Sequence, residues 1–565
     1  MDAESALRTA GGSVDDRFHA AGAARKALTK AFPDHWSFFL GELALYSFIV
    51  LIITGVYLTL FFRPSEAASV YHGSYVKLDG VSMSEAFQST VRISFDIRGG
   101  LLVRQIHHWA ALVFIAAIAI HALRIFFTGA FRRPRELNWV IGTFMFLLAA
   151  VEGFAGYSLP DDLLSGTGLR IAEGITLSIP VVGTYLAFFL FGGQYPGDSI
   201  VPRLYIAHVL LLPGLILALV TAHLMAVWRQ GHSQWPGKKE REDNEVGEPM
   251  FPRFIMKTTS LFFFVFGLLA LLGAVAQINP IWLFSPYNPA ISSNGSQPDW
   301  YFAFIEGAMR LMPGTDMNVA GHTIVWGVFL PAVVLPVVFF LLMGGYPFFE
   351  KWVTGDRRPH QLLDRPRNMP TRTAIGVAVV AMAVTLQLAA ADDLIAFHFG
   401  IPVEDLVWAF RAGFFVVPAV AFWITQHVCL SLQRADRRRL RLGVRYGIAA
   451  LPVSDGAAGD GVAAADGARS GYAAVSRPVT PDERAVLEAV RPDELITAIP
   501  RHLIPLPTPR RAAAQLRARF NHFYLVSRLE PPGDDGTAPE AAADGRTGAD
   551  ERAPGADERA SGSSG

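Results

Sequence analysis

The chain has 565 residues, 52% of them hydrophobic, and its 49 basic side chains are matched by 49 acidic ones. An apolar excess over that length excludes a single soluble core and points to a protein that crosses a membrane several times; the zero net charge gives no reason to expect nucleic acid as a partner. The single cysteine, Cys429, excludes a disulfide framework, a cysteine-ligated iron–sulfur cluster and a C-x-x-C-H haem attachment, so any cofactor must have other ligands.

Residues 1–37 form a polar segment carrying Arg8, Arg17, Arg25, Lys26 and Lys30, with no short apolar stretch ending in small residues, so no cleaved signal peptide is expected. Eight apolar runs follow, each near the ~20 residues that cross a hydrocarbon core: 38–62, 104–127, 138–158, 203–228, 257–278, 323–346, 372–391 and 407–432. The first holds Gly41 and Gly55, 14 residues apart. The second opens at Arg104 and contains His107, His108, His121 and Arg124, and the third repeats the 14-residue interval with Gly142 and Gly156. The stretch 174–195 is also apolar, but Pro180, Gly183, Gly192 and Gly193 interrupt it, so it is expected to lie on the surface or re-enter rather than span. The fourth run starts at Arg203, holds His208 and His223, and ends before Arg229.

Beyond residue 446 the composition shifts to Ala, Gly, Asp and Pro, with low complexity at 455–468 and again from 531. Such a tail has too little apolar surface to offset chain entropy and is expected to be partly disordered around a modest helical pattern at 478–528. Counted with their margins, the N-terminal segment, alternate connections and the stretch after the last run hold 27 lysines and arginines, against 9 on the opposite side. The positive-inside rule then puts both termini in the cytoplasm and the chain in the plasma membrane. The predicted fold is an all-α integral membrane protein of eight transmembrane helices: an N-terminal segment (1–37), a four-helix dihaem bundle (38–230), a C-terminal membrane part (231–445) and a long cytoplasmic tail (446–565).

The dihaem expectation comes from the histidines. An intramembrane histidine is rare and functional by default, although one alone is often a hydrogen-bonded interhelical contact. Here there are four, on two helices. His107 and His121 are 14 residues apart, which returns them to one helix face within about 40° and separates them by about 21 Å along the axis; His208 and His223, 15 apart, agree within about 60° over about 22 Å. Two facing helices offering imidazoles at matching depths make two bis-histidine sites, the ligation of six-coordinate haems that pass electrons. His108 is about 140° off the face of His121, so His107 is the expected ligand and His108 a neighbour or packing residue. Arg104, Arg203, Arg124 and Arg229 flank the ligands where anionic propionates need cations, or serve as interfacial anchors. The glycine pairs permit close helix packing in any case; their interval of 14, matching His107 to His121, favours contact with flat macrocycles.

Together these residues resemble the cytochrome b subunit of quinol–cytochrome c oxidoreductases over roughly residues 33–432. The resemblance rests on Arg104-x-x-His107, the two G-x13-G pairs, the G-Y-x-L-P end of the third run (Gly156–Pro160), Arg203-x4-His208, and P-D-W-Y at Pro298–Tyr301, in that order. FPDHWSF, STVRISFDIRGG, LPDDLLSGTG and the long tail are similar to the actinobacterial, menaquinol-oxidising branch. The chain departs from the mitochondrial pattern in P-D-W-Y for P-E-W-Y, in the wider histidine interval of the fourth run, in Trp228 where that type has a histidine, and in Lys257-Thr258 where it has Lys-Asp.

The resemblance implies a Q cycle with two b haems, His107/His208 outer and of low potential, His121/His223 inner and of high potential. Menaquinol would be oxidised at an outer site containing Asp299, Tyr301 and Glu306. The apolar setting of Glu306 suits proton acceptance, whereas Asp299 could simply cap a short helix. Quinone would be reduced at an inner site near His35, Trp36, Trp228, Arg229 and His232. Implied partners are a Rieske-type iron–sulfur subunit, a cytochrome c subunit, a second copy of the complex and a terminal oxidase. Two competing readings are a shorter dihaem anchor of another oxidoreductase, which would lack P-D-W-Y, and a proton-coupled transporter, which would show broken helices and internal repeats.

Overall fold

The computed structural model describes residues 20–193, 195–237, 239–291, 297–319, 321–445, 449–452 and 472–475. Most of the predicted tail, including the pattern at 478–528, and residues 1–19 lie outside the described residues. Among the described residues, eight helices are long and apolar enough to cross a membrane: α1 Trp36–Thr59, α2 Gly100–Thr128, α3 Glu136–Tyr157, α4 Ile200–Gln230, α5 Met250–Val275, α6 Trp326–Thr354, α7 Pro370–Ala390 and α8 Val403–Asp436. They coincide with the eight expected runs and mostly extend them at the ends. The stretch 174–195 is broken as its prolines and glycines suggest, into the end of helix Leu163–Leu177 and the short helix Gly183–Phe191, which turn back on each other. Neither is among the candidate spans.

Large apolar side chains on the outer faces, among them Ile53, Phe263, Leu341 and Phe415, are exposed. This is the surface that hydrocarbon would cover, because lipid tails satisfy it as well as a protein interior does. Inside the first four helices, Phe48, Phe114, Ile115, Leu148, Leu212 and Ile216 form a buried core, with the Phe48 and Phe114 rings stacked at 5.4 Å. In the second half, α7 packs along α8 and carries the short helix Ala303–Leu311. Gly307 permits that contact: a Cβ there would meet the Leu386 carbonyl oxygen.

Proline shapes the spans. Within α4 the turn Ala207–Leu211 is a π turn, and within α6 so is Leu330–Val334. Pro213 follows the first; Pro331 lies inside the second and Pro336 just beyond it. A proline removes one helical hydrogen bond and crowds the carbonyl four residues back, and a widened turn relieves that crowding.

The all-α expectation needs one correction, since the connections and the segments flanking the spans contain two-stranded antiparallel ribbons. Ala68–Val70 pairs with Ser82–Ser84, Asp316–Val319 with His322–Val325, Ala449–Pro452 with Tyr472–Val475, and Ala31–Phe32 with Glu248–Pro249. Alternation over two to four residues is too short to register in a sequence dominated by apolar runs. The last ribbon fixes the segment before α1 against the start of α5, stacking Phe32 on Phe254 at 4.3 Å and bringing Asp34 to Lys257.

Candidate functional site

Helices α2 and α4 bring the four histidines into two levels. At one level the His107 and His208 rings lie edge to face with centroids 6.1 Å apart; at the other, His121 and His223 are close enough to interact electrostatically. Each histidine faces one of the four glycines. A Cβ at Gly55 would come within 3.3 Å of His107, at Gly156 within 2.4 Å of His208, at Gly41 within 3.1 Å of His121 and at Gly142 within 3.8 Å of His223. Thus α1 and α3 each give one glycine to each level.

The 15-residue interval in α4 predicted a 60° mismatch, and the π turn Ala207–Leu211, which includes His208, accounts for it. A π turn absorbs one extra residue without advancing the helix by a full residue, so His208 and His223 share a face as if 14 apart. His107 rather than His108 faces the glycine; His108 only lines the neighbouring cavity.

That cavity, of about 320 Å³, joins the chemistry of two segments distant in sequence. Its walls include His107, His208, Gly55 and Gly156 from the bundle and Asp299 and Tyr301 from the connection between α5 and α6. Tyr301 Oη donates to Asp299 Oδ2 at 2.7 Å. Burial raises the Asp299 carboxyl above the ordinary aspartate range, and the tyrosine hydrogen bond opposes the shift. Glu306 stands apart. It does not line this cavity; Oε1 accepts from Arg310 Nη2 at 2.6 Å, one turn away, and Arg310 also pairs with Asp392 and, at 3.2 Å, with Asp393. Burial raises the Glu306 carboxyl and Arg310 works against it. On Arg310 itself burial is outweighed by Glu306, Asp393 and Asp392, which hold the guanidinium charged.

The arginines divide. Arg104 is buried on the cavity wall with Nε lacking a hydrogen-bond partner, and Arg124 likewise has buried, unpartnered Nε and Nη2. Arg203 is exposed and donates to the carbonyls of Phe189 and Leu190, closing the end of helix Gly183–Phe191, and Arg229 is exposed.

At the other end, Phe32 lies between Trp228 (6.1 Å) and His232 (4.8 Å), His35 is 5.5 Å from Trp235, and Arg124 sits 4.3 Å over the Phe38 ring. Burial, then Lys30, Arg135 and Arg124, push His232 down to about 4; burial and Arg124 also lower His35, against Asp34. Trp36 is 71% exposed and outside this cluster except for its contact with His35.

Two side chains escaped the sequence reading. Glu152 on α3 puts Oε1 3.0 Å from His208 Nδ1, and Thr54 on α1 puts Oγ1 2.9 Å from His107 Nδ1. The signal for Glu152 was a carboxylate inside a span one turn before Gly156, hence on the same face.

The residues fit haem on three observations: glycines where a Cβ would press on each imidazole, unpartnered buried arginine donors beside both levels, and a cavity at the His107/His208 level. No cluster of three or more candidate metal ligands competes among the described residues.

A multi-pass helical membrane protein with two levels of inward-facing histidine pairs is the class these features define. The family described as cytochrome b(N-terminal)/b6/petB matches residues 112–286. The chain is 52% identical over 435 residues to the cytochrome bc1 complex cytochrome b subunit of Streptomyces coelicolor, covering 77% of this chain and 80% of that one. It is 53% identical over 436 residues to the protein of the same description from Mycobacterium tuberculosis, covering 77% and 79%. In fold it resembles a chain of a hyperthermophilic respiratory Complex III, with a TM-score of 0.55 at 23% identity, over 74% of this chain and 98% of that one. The chain belongs to the family of cytochrome b subunits of the cytochrome bc1 complex. It is thereby a membrane electron-transport protein of the respiratory chain, in a family whose cofactor is b-type haem.

Proposed function

We propose that the chain is the quinol-oxidising and quinone-reducing subunit of a quinol–cytochrome c reductase, with one b haem held by His107 and His208 and another by His121 and His223. Bound there, the haems supply one-electron transfer across the bilayer. Thr54 orients the His107 imidazole through Nδ1, the usual device for fixing tautomer and ring plane, and the Glu152 carboxylate stands at ion-pair distance from His208 Nδ1. Arg104 and Arg124 offer charge to propionates at the two ends. Asp299 accepts the proton of a quinol hydroxyl in the outer cavity, held in position by Tyr301. Glu306, paired through Arg310 with Asp392 and Asp393, is a second carboxylate of the same connection. An iron–sulfur subunit would take the other electron and a cytochrome c subunit would relay it; menaquinol, a dimeric complex and a terminal oxidase partner follow the actinobacterial resemblance. The charge asymmetry supports cytoplasmic termini and an outer position for Asp299.

The observation that carries this reading is the shared cavity, in which a carboxylate of raised proton affinity meets one histidine pair. In the purified complex, Asp299→Asn is expected to slow quinol-driven cytochrome c reduction about 100-fold with both b-haem bands intact, and Glu306→Gln to slow it less. His208→Ala should remove one of the two bands. Unchanged turnover in D299N, or two bands surviving in H208A, would refute the corresponding assignment.

A further inference from the structure

We propose that Glu42 is the proton donor to quinone at the inner end of the bundle, reloaded through Thr258. The proposal rests on the two-site reading above and adds to it a residue from α1. Glu42 follows Gly41, which packs against His121, so it lies at the inner histidine level but turned toward α5. There Thr258 Oγ1 donates to Glu42 Oε2 at 2.7 Å, and the hydroxyl of Tyr46, one turn further along α1, meets the same Thr258 oxygen. A carboxyl, a hydroxyl and a phenol thus form one hydrogen-bonded set between two spans.

Polar contacts between spans are common as interhelical ties, and a threonine with a tyrosine would serve for that. A carboxyl adds an ionisable group where ionisation is costly, which marks a proton-handling role. Next to Thr258 in sequence stands a half-exposed ion pair. Lys257, adjacent to Thr258, pairs with Asp34 at 2.7 Å, and these side chains are 42% and 49% exposed. The dipeptide Lys257-Thr258 carries no carboxylate of its own, and α1 supplies one.

Reduction of one quinone to quinol consumes two electrons, which bound haems would supply, and two protons. The Glu42 O–H bond breaks as that proton forms an O–H bond to one quinone oxygen. The resulting carboxylate takes its replacement proton from solvent on the Asp34–Lys257 side by way of Thr258. The second proton comes directly from solvent on the same side and forms an O–H bond to the other quinone oxygen.

The test uses the intact complex turning over with menaquinol and cytochrome c. Glu42→Gln is expected to lower turnover at least about tenfold, to raise the fraction of b haem reduced in the steady state, and to remove a carboxyl band from the reduced-minus-oxidised infrared difference spectrum. The initial rate of b-haem reduction by quinol should stay at the wild-type value. Glu42→Asp should restore turnover, and Thr258→Val should show the same pattern more weakly with an increased solvent isotope effect. Wild-type turnover and haem reduction level in E42Q overturn the proposal, as does a defect that E42D leaves unrepaired. Should E42Q fail to assemble, a T258V complex with wild-type haem level and isotope effect overturns it equally. A wild-type complex with fewer than two b components would instead overturn the two-site reading.

Discussion

The four glycines facing the histidines are not equivalent, and the difference can be measured. A Cβ at position 156 would stand 2.4 Å from the His208 ring, so Gly156→Ala forces the imidazole or α3 aside, an overpacking cost of about 1–3 kcal/mol. At position 142 the distance to His223 is 3.8 Å, an ordinary contact. G156A is expected to broaden or lose one b component in reduced-minus-oxidised spectra while G142A keeps both; equal spectra would show that the glycines serve helix packing alone. Asp299 provides a second measurement at this scale. A base works ionised, and burial sets its proton affinity above that of ordinary aspartate, so the turnover of quinol should rise with pH through a midpoint displaced upward from the usual carboxylate range. Tyr301→Phe removes the hydrogen bond that opposes the displacement and should move the midpoint further up. The two histidine levels and the glycines that face them were legible in the sequence because their intervals repeat along single helices. Glu152 and Thr54 were not, because which side chain reaches an imidazole Nδ1 depends on how neighbouring helices are rotated. For Arg203, expected to meet a propionate or to anchor the span at the interface, the guanidinium closes the end of a short helix, a contact that its place in the sequence does not reveal.

At the scale of the element, α4 shows how a span holds two histidines in register despite an extra residue. Read at 100° per residue, the interval of 15 is a defect; the π turn at Ala207–Leu211, next to Pro213, absorbs it. Deleting Val209 should therefore convert the π turn to regular α-helix and leave both b-haem bands in place. Inserting one alanine after Leu219, in regular helix, should rotate His223 by about 100° and remove the inner component alone. If the deletion costs a haem and the insertion does not, the π turn is not what sets the register. Hydrophobic length revealed the eight spans, and the prolines and glycines marked 174–195 as broken. The ribbon Ala31–Phe32 with Glu248–Pro249 left no such trace, although it arranges the cluster of Phe32, Trp228 and His232. Two-residue strands have no period to detect, and their pairing joins segments more than 200 residues apart.

At the scale of the whole molecule, the first four spans and the last four are joined by a buried ionic cluster. Arg372 at the start of α7 is fully buried; it reaches Asp364 at 2.7 Å in the preceding connection and Glu350 at 3.3 Å on α6. Asp364 also accepts from Arg132 at 3.1 Å, in the connection between α2 and α3, and the Arg372 guanidinium lies 5.5 Å from the centre of the Phe131 ring. Because Glu350 is itself only 6% exposed, removing the arginine strands a carboxylate that water cannot reach. Breaking one side of such a pair costs about 3–5 kcal/mol, more than the intact pair contributes, since desolvation of the remaining charge is no longer offset. Arg372→Met should accordingly lower the thermal unfolding midpoint of the purified complex while leaving both b-haem spectra unchanged, because the cluster lies outside the histidine levels. Adding Glu350→Leu should recover part of the loss by removing the stranded charge. An R372M protein that unfolds at the wild-type temperature would show that the cluster is hydrated and does not hold the two halves together.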